Sequence, residues 1–243
     1  MQLSNNAILL TGASSGIGYA MLQRLHALDN KLLVTSRSEE SLQKLSEEFE
    51  GIQTFRCDFA NPTAVELLID YCKNQFSDLN VLINNAGVQF EYQVAEESGR
   101  SKIENEIRTN LTSPLQLIQD LLPVLQNNEP AAIVNITSAL AITPKQSAPV
   151  YCGSKAGLQN YTRALRYQLE DTNIKVFEVI PPLVDTAMTA GRGSGKMSPE
   201  ALVANFLRAF ERNQTTVYIG KAKLLNLVNR FLPGVAANIL KNS

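Results

Sequence analysis

Hydrophobic and polar positions alternate between two regimes along this chain. Short apolar runs at residues 7–10, 31–35, 52–57, 79–83, 131–137, 174–180 and 216–219 are of strand length and are bounded by turn residues. Between them lie stretches whose apolar residues recur at helical spacing: from the glycines near 16 to Leu28, a polar stretch to about Glu50, and from Pro62 to about Phe76. Further helical stretches cover 101–126, 149–170 and a segment from Ser198 to about Glu211. Strands that alternate with helices predict an α/β fold with a doubly wound parallel sheet of about seven strands and helices on both faces. No linker, composition shift or internal repeat divides the pattern, so residues 1–243 are expected to form a single domain. A Gly- and Ser-rich stretch within about 186–198 suggests a mobile lid, or disorder without function. A helical tail, 221–243, carries apolar residues at helical spacing beside lysines and is broken by Pro233-Gly234. It suits either packing on its own core or a partner subunit, or lying on a membrane surface.

Composition narrows the partners. A formal net charge of −1 gives no electrostatic reason to expect nucleic acid. Three cysteines without ligand spacing and a single histidine, His26, make a metal site an unpromising reading, and reduced thiols suit a cytoplasmic protein. No apolar run is long enough to span a membrane, and no signal peptide is expected.

The first strand runs directly into Thr11-Gly12-Ala13-Ser14-Ser15-Gly16-Ile17-Gly18 and then a helix. Strand, glycine turn and helix in that order form the context of a dinucleotide site. Gly12 permits a tight turn, Gly16 lets backbone approach a pyrophosphate, and Gly18 lets helix and strand pack closely. Ser14, Ser15 and Ile17 complete the loop, although an ordinary glycine-rich turn would also read this way. Where an acid would hold the adenosine ribose of NAD, the second strand ends in Ser36 and Arg37. A hydroxyl and a guanidinium suit the 2′-phosphate of NADP(H); a solvated loop arginine accounts for Arg37 equally well. Asp58 and Phe59 end the third strand as a clamp on adenine, and Asn85-Ala86-Gly87 follow the fourth as small residues or as a plain turn.

Asn110 is a mediocre helix-interior residue, explained either by a distortion of its helix or by simple solvent exposure. Ser138 sits at the C-terminal end of the fifth strand, where ligands bind in open α/β sheets. Tyr151 and Lys155 stand one helical turn apart on one face. An ammonium about 4 Å from a phenol contributes on the order of 4 kcal/mol toward its ionisation at an effective dielectric of about 20. Moving the phenol pKa from about 10 to about 7 needs roughly that much. In isolation, such a pair more often covers a helix surface.

These pieces, in this order and spacing, resemble the short-chain dehydrogenase/reductase family in its compact form, over about the first 190 residues. Residues 179–188 and the Lys-rich tail are similar to a subgroup that includes the oxidoreductase encoded beside D-alanine transfer genes. One departure is Pro182, which stands where the family usually has glycine. The resemblance implies an NADP(H)-dependent oxidoreductase that interconverts a carbonyl and an alcohol. It casts Tyr151 as general acid/base, Lys155 as the group that lowers its pKa and holds the nicotinamide ribose, and Ser138 as hydrogen-bond donor to substrate. Asn110 would hold a water, and Pro181, Val184 and Thr186 would contact the cofactor. Candidate pocket residues Gln89, Phe90, Leu140, Ile142, Leu183 and Met188 are mostly apolar, so an apolar small-molecule carbonyl or alcohol is expected. The resemblance also implies a homodimer or homotetramer, with Leu115, Leu121, Leu158, Leu165 and Leu169 as its apolar surface. A non-catalytic NADP-binding regulator or scaffold is the alternative on the same fold.

Overall fold

In a computed structural model that describes residues 1–95 and 99–241, seven parallel strands form one sheet in the order β3-β2-β1-β4-β5-β6-β7. They are β1 (Ala7–Leu10), β2 (Lys31–Ser36), β3 (Gln53–Arg56), β4 (Val81–Asn84), β5 (Ala131–Ile136), β6 (Ile174–Ile180) and β7 (Thr216–Tyr218). The helices between them are α1 (Gly16–His26), α2 (Glu39–Glu48), α3 (Pro62–Gln75), α4 (Gly99–Ile107), α5 (Ser113–Asn127), α6 (Pro149–Gln168), α7 (Pro199–Glu211), α8 (Lys221–Phe231) and α9 (Pro233–Leu240). The doubly wound α/β sheet is thus present as the apolar runs predict.

Strand alternation sorts the core into two layers. Ile8, Leu10, Val34, Ile83, Val134 and Phe177 face α1, α2 and α7, where they meet Met21, Leu22, Leu42, Phe206 and Phe210. Leu9, Leu33, Leu82, Ile133 and Val176 face α3, α5 and α6 on the other side. Central strands are apolar on both faces because both are covered. β1 lies between β2 and β4 with Leu10 opposite Val34 on one side and Ile83 on the other. The order of the strands reverses there, so the carboxyl ends of β1 and β4 open a crevice.

Helix starts follow the local chemistry. Ser38, Asn61 and Ser198 accept hydrogen bonds from the first turns of α2, α3 and α7. The helical stretch at 101–126 is in fact two helices, α4 and α5, joined by a π-helical turn at Arg108–Thr112. Asn110, fully buried in that turn, accepts from the Val88 N–H (2.9 Å) and donates to the Val88 carbonyl (2.8 Å). The side chain thus draws the helix toward the loop after β4, and solvent exposure is not the explanation for this asparagine.

A buried polar chain positions α6. Asn84 donates to Asn135 (2.9 Å), and Asn135 donates to Thr162 (2.9 Å). It ties β4 and β5 to the helix that carries Tyr151 and Lys155 at a point where a slip would leave polar groups unpaired.

One expectation is corrected here. Leu121, Leu158, Leu165 and Leu169 are buried by this chain's own core, so these leucines do not form an outward apolar surface. The stretch 186–198 is tied at its neck: Asp185 N–H reaches the Met197 carbonyl (2.8 Å), Met197 N–H reaches the Leu183 carbonyl (3.0 Å), and Lys196 Nζ reaches the Thr189 carbonyl (2.7 Å). The tail packs on its own chain through Ala222, Leu225 and Ala236, leaving Leu224, Leu227, Phe231 and Ile239 exposed. Its last two residues, 242 and 243, lie outside the described residues. Among the described residues no helix is long and apolar enough to cross a membrane.

Phe177 is fully buried and meets Phe210 with ring centroids 4.7 Å apart. Phe177→Ala should therefore cost about 3–5 kcal/mol, read as a lower urea midpoint with an unchanged slope. A loss below about 1 kcal/mol would mean that the sheet is not held from this side by α7.

Candidate active site

The crevice at the ends of β1 and β4 begins with three glycines that the backbone demands. Gly12 (φ +68°) and Gly16 (φ +54°) occupy the left-handed region. A Cβ on Gly18 would fall 2.0 Å from the Gly12 carbonyl oxygen, so helix and turn could not approach as they do. Thr11 and Asn85 lace this turn to the next one. Thr11 Oγ1 accepts from the N–H groups of Asn85 (2.9 Å) and Ala86 (3.0 Å), and Asn85 Nδ2 donates to the carbonyls of Thr11 (2.9 Å) and Gly12 (3.0 Å). Unlike α2, α3 and α7, α1 has no side-chain cap, and its first turn holds no acid. Its leading N–H groups and positive dipole end therefore face the crevice without an internal anion.

The walls of this cleft include Ser14, Ser15, Ile17, Ser36, Arg37 and Phe59 toward β2 and β3, and Ala86, Gly87, Tyr151, Lys155, Pro181 and Thr186 toward β4 to β6. Ser36 donates to Ser14 (3.1 Å) across the rim. Arg37 is exposed and forms no side-chain ion pair or hydrogen bond among the described residues. Two expected wall residues lie elsewhere. Asp58 is exposed and its carboxylate accepts from the Ala60 N–H (3.0 Å), so it caps a turn. Val184 is buried behind Thr186 and faces a second cavity. Cys57, Val88, Thr109 and Thr137 also line the cleft and carry no signal in the sequence that would have found them. Arg56, beside Ser36 in the β2–β3 register, donates to the Arg37 carbonyl (3.2 Å) and brings a second guanidinium to the rim.

Tyr151 and Lys155 are both buried, on the inner face of α6. The Lys155 ammonium lies 6.0 Å from the Tyr151 ring centroid and donates to the Ile136 carbonyl at the end of β5 (2.8 Å). A side chain on Gly87 would sit 3.6 Å from this ammonium, so glycine leaves room above it. Burial pushes the Tyr151 phenol up to about 12, against which a hydrogen bond with Ser138 and the charge of Arg192 pull downward. Burial likewise pulls Lys155 down to about 8. Desolvation is thus the largest influence on both groups.

Ser138 lies just beyond β5, with its hydroxyl accepting from the Leu140 N–H (3.1 Å). It opens onto a second cavity of about 210 Å³ that adjoins the cleft at Ile17, Tyr151, Pro181 and Thr186. Gln89, Leu140, Leu183 and Met188 line this cavity as expected, together with Pro182; Phe90 and Ile142 do not. Lys145 and Arg192 also line it, and nothing in the sequence pattern singled them out.

Comparison with known proteins now meets this geometry. The family model for short chain dehydrogenases matches residues 6–197. The chain is 38% identical to the oxidoreductase DltE of Bacillus subtilis, over 77% of this chain and 75% of that protein. It is 32% identical to sulfoacetaldehyde reductase 2 of Chromohalobacter salexigens, over 79% and 77% of the two chains. Among solved structures, a short chain dehydrogenase from Burkholderia cenocepacia in complex with NADP superposes with a TM-score of 0.88 at 24% identity, covering 100% of both chains. One from Burkholderia phymatum in complex with NAD gives 0.86 at 19% identity, covering 100% of this chain and 97% of that one. With the glycine cradle, the buried Tyr151–Lys155 pair and a family match over most of its length, this chain belongs to the short-chain dehydrogenase/reductase family of oxidoreductases.

Proposed function

We propose that the protein is an NADP(H)-dependent oxidoreductase that interconverts a small carbonyl compound and its alcohol, with residues 1–243 working as one domain. The observation that carries this reading is the meeting of Ser138, Tyr151 and Lys155 at the wall between nucleotide cleft and cavity. A relative named for sulfoacetaldehyde reduction supports a small carbonyl substrate, and so does a cavity of about 210 Å³, below the range typical of drug-sized ligands. A regulator or scaffold would have no use for burying a phenol and an ammonium together, each at a desolvation cost.

The residues present fit a dinucleotide. The left-handed Gly12 and Gly16 and the uncapped start of α1 suit its pyrophosphate, and Ser14, Ser36 and Arg37 suit a 2′-phosphate, with Arg56 beside them. Bound there, the cofactor supplies hydride transfer to or from the substrate carbon. Tyr151 keeps its proton at neutral pH, because burial holds its pKa high, and gives it to the carbonyl oxygen during reduction. Ser138 donates a hydrogen bond to that oxygen as its charge grows. Lys155, with one N–H on Ile136, would have its remaining donors free for the cofactor's ribose. Asn110 holds the π-turn and the Val88 backbone in place. Thr186 and Pro181, which line the cleft, would hold the nicotinamide end. In the oxidative direction Tyr151 acts as base, which requires a second positive charge nearby to offset burial. Assembly as a homodimer or homotetramer rests on the family resemblance, and a cytoplasmic location on the three free thiols.

Tyr151→Phe keeps the ring but removes the transferable proton, so kcat should fall by about 10²–10⁴-fold, the usual contribution of a positioned acid. NADPH should still bind with its ordinary affinity in a fluorescence titration. Ordinary turnover by this variant on a carbonyl that the wild type reduces would sink the assignment.

Arg37 contributes charge-assisted hydrogen bonds worth about 1.5–3 kcal/mol in general, which corresponds to roughly a ten- to hundredfold preference for NADPH over NADH. Solvent exposure of Arg37 favours the lower half of that range. Dissociation constants for both cofactors, in wild type and Arg37→Ala, measure it directly. Equal wild-type affinities, or a preference that outlives the arginine, would refute NADP(H) selection by this corner.

A further inference from the structure

The cavity beside Ser138 is apolar on one side and cationic on the other. Leu140, Leu183 and Met188 form the first wall, and Lys145 and Arg192 stand in the second. Lys145 is almost wholly buried and pairs with Glu91, whose carboxylate also forms an ion pair with Arg192, 3.4 Å from its Nε. Glu91 thereby answers for one of the two cations, and the group of three side chains retains one net positive charge. The ion pair with Lys145 holds the Glu91 carboxyl below the usual range, so this balance persists at neutral pH.

What remains unanswered is a donor. Arg192 Nη1 is shut off from solvent and has no acceptor among the described residues. Gln89 Nε2, on the same cavity, is in the same condition. A buried donor left without an acceptor is costly, and more so when it belongs to a charged group. No unpaired acceptor from the residues lining this cavity accompanies the two donors among the described residues. The wall thus offers hydrogen bonds and positive charge to a ligand and asks for negatively charged oxygen in return.

Backbone geometry is consistent with a built position for Arg192. Gly191 (φ +74°) and Gly193 (φ +53°) are both left-handed, so the chain turns on either side of the arginine. A Cβ on Gly193 would fall 2.6 Å from Leu183 Cδ2, which means that the turn packs closely on the cavity's apolar wall. The guanidinium is also near enough to Tyr151 for its charge to bear on the phenol. An anion held by Arg192 would therefore lie within a short molecule's length of the reacting oxygen.

We infer that the substrate is a short oxo-acid or hydroxy-acid, whose carbonyl or hydroxyl meets Tyr151 and Ser138 while its anionic oxyacid group, a carboxylate or sulfonate, is bound by Arg192 with help from Gln89. This rests on the carbonyl/alcohol reading above and departs from the wholly apolar substrate that the sequence led one to expect. Arg192 is then the residue that sets substrate class, and Lys145 with Glu91 holds it in position.

The test compares 4-oxobutanoate and sulfoacetaldehyde with two uncharged aldehydes of similar size, methyl 4-oxobutanoate and propanal, using NADPH. In wild type kcat/KM should favour the charged member of each pair by at least about tenfold, as a charge-assisted hydrogen bond implies. The ratio should collapse toward one in Arg192→Met, and Arg192→Lys should restore part of it. No wild-type preference for the charged member, or a preference intact in Arg192→Met, would overturn the inference. A second measurement does not depend on turnover: propanoate and ethanesulfonate, which carry no carbonyl, are titrated into wild type and Arg192→Met by ligand-observed NMR. Binding to wild type that weakens about tenfold or more in the variant supports the anion site, even if every aldehyde is inert and the carbonyl reading falls. Equal binding to both proteins, or none to either, overturns it.

Discussion

Burying an ammonium without a carboxylate partner is the constraint around which this molecule is arranged. Lys155 is nearly inaccessible and, among the described residues, its one acceptor is the Ile136 carbonyl at the end of β5. Such a group shifts its pKa or finds a partner, and here it shifts, down to about 8. The arrangement survives because α6 cannot move away. The Asn84–Asn135–Thr162 chain pins it to two central strands, and Asn110 donates to Ser154 on the same helix (3.2 Å). Tyr151, one turn earlier, is carried into the same dry wall, where its proton is held tightly. Stability is given up locally so that a proton donor and a cation face one cleft.

The sheet distributes the remaining tasks by position. Carboxyl ends of β1 and β4 form the phosphate turn, β5 delivers Ile136 and Ser138, and β6 leads through Pro181 to the segment that bears Arg192. Tyr151 is thus shared by the cleft and the cavity. A substrate that is polar at both ends fits this plan better than one that is apolar throughout, because cationic groups occupy the wall away from the catalytic pair.

Much of this was legible in the chain. Near-continuous apolar runs marked β1, β4 and β5 because strands covered on both faces have little polar side to show. The glycine turn was readable since each glycine is required by a φ value or a close approach, and Tyr151 and Lys155 by their helical spacing. Other features left no trace in periodicity. The π-turn at Asn110 depends on a bond to a loop distant in sequence, so the stretch read as one helix. Asp58, expected as a cofactor clamp, accepts from the Ala60 N–H two residues on, a turn contact that periodicity does not show. Arg192 sits between left-handed glycines in a stretch without hydrophobic pattern, and only the folded cavity shows that its guanidinium turns inward. Spacing along a helix fixes which face two residues share, but it does not tell how much water that face excludes, so the burial of Tyr151 and Lys155 was not legible.

The central claim is that burial keeps Tyr151 protonated and that only an additional positive charge in the cleft frees its proton. Ultraviolet difference absorbance of wild type minus Tyr151→Phe, titrated with and without oxidised cofactor, isolates this one phenol. Without cofactor the phenolate should appear only above the ordinary tyrosine value of about 10, toward the folded value of about 12; with it, the midpoint should fall well below that ordinary value. A midpoint that stays put when the cofactor is added, or a phenolate already present near neutral pH in its absence, would contradict the account.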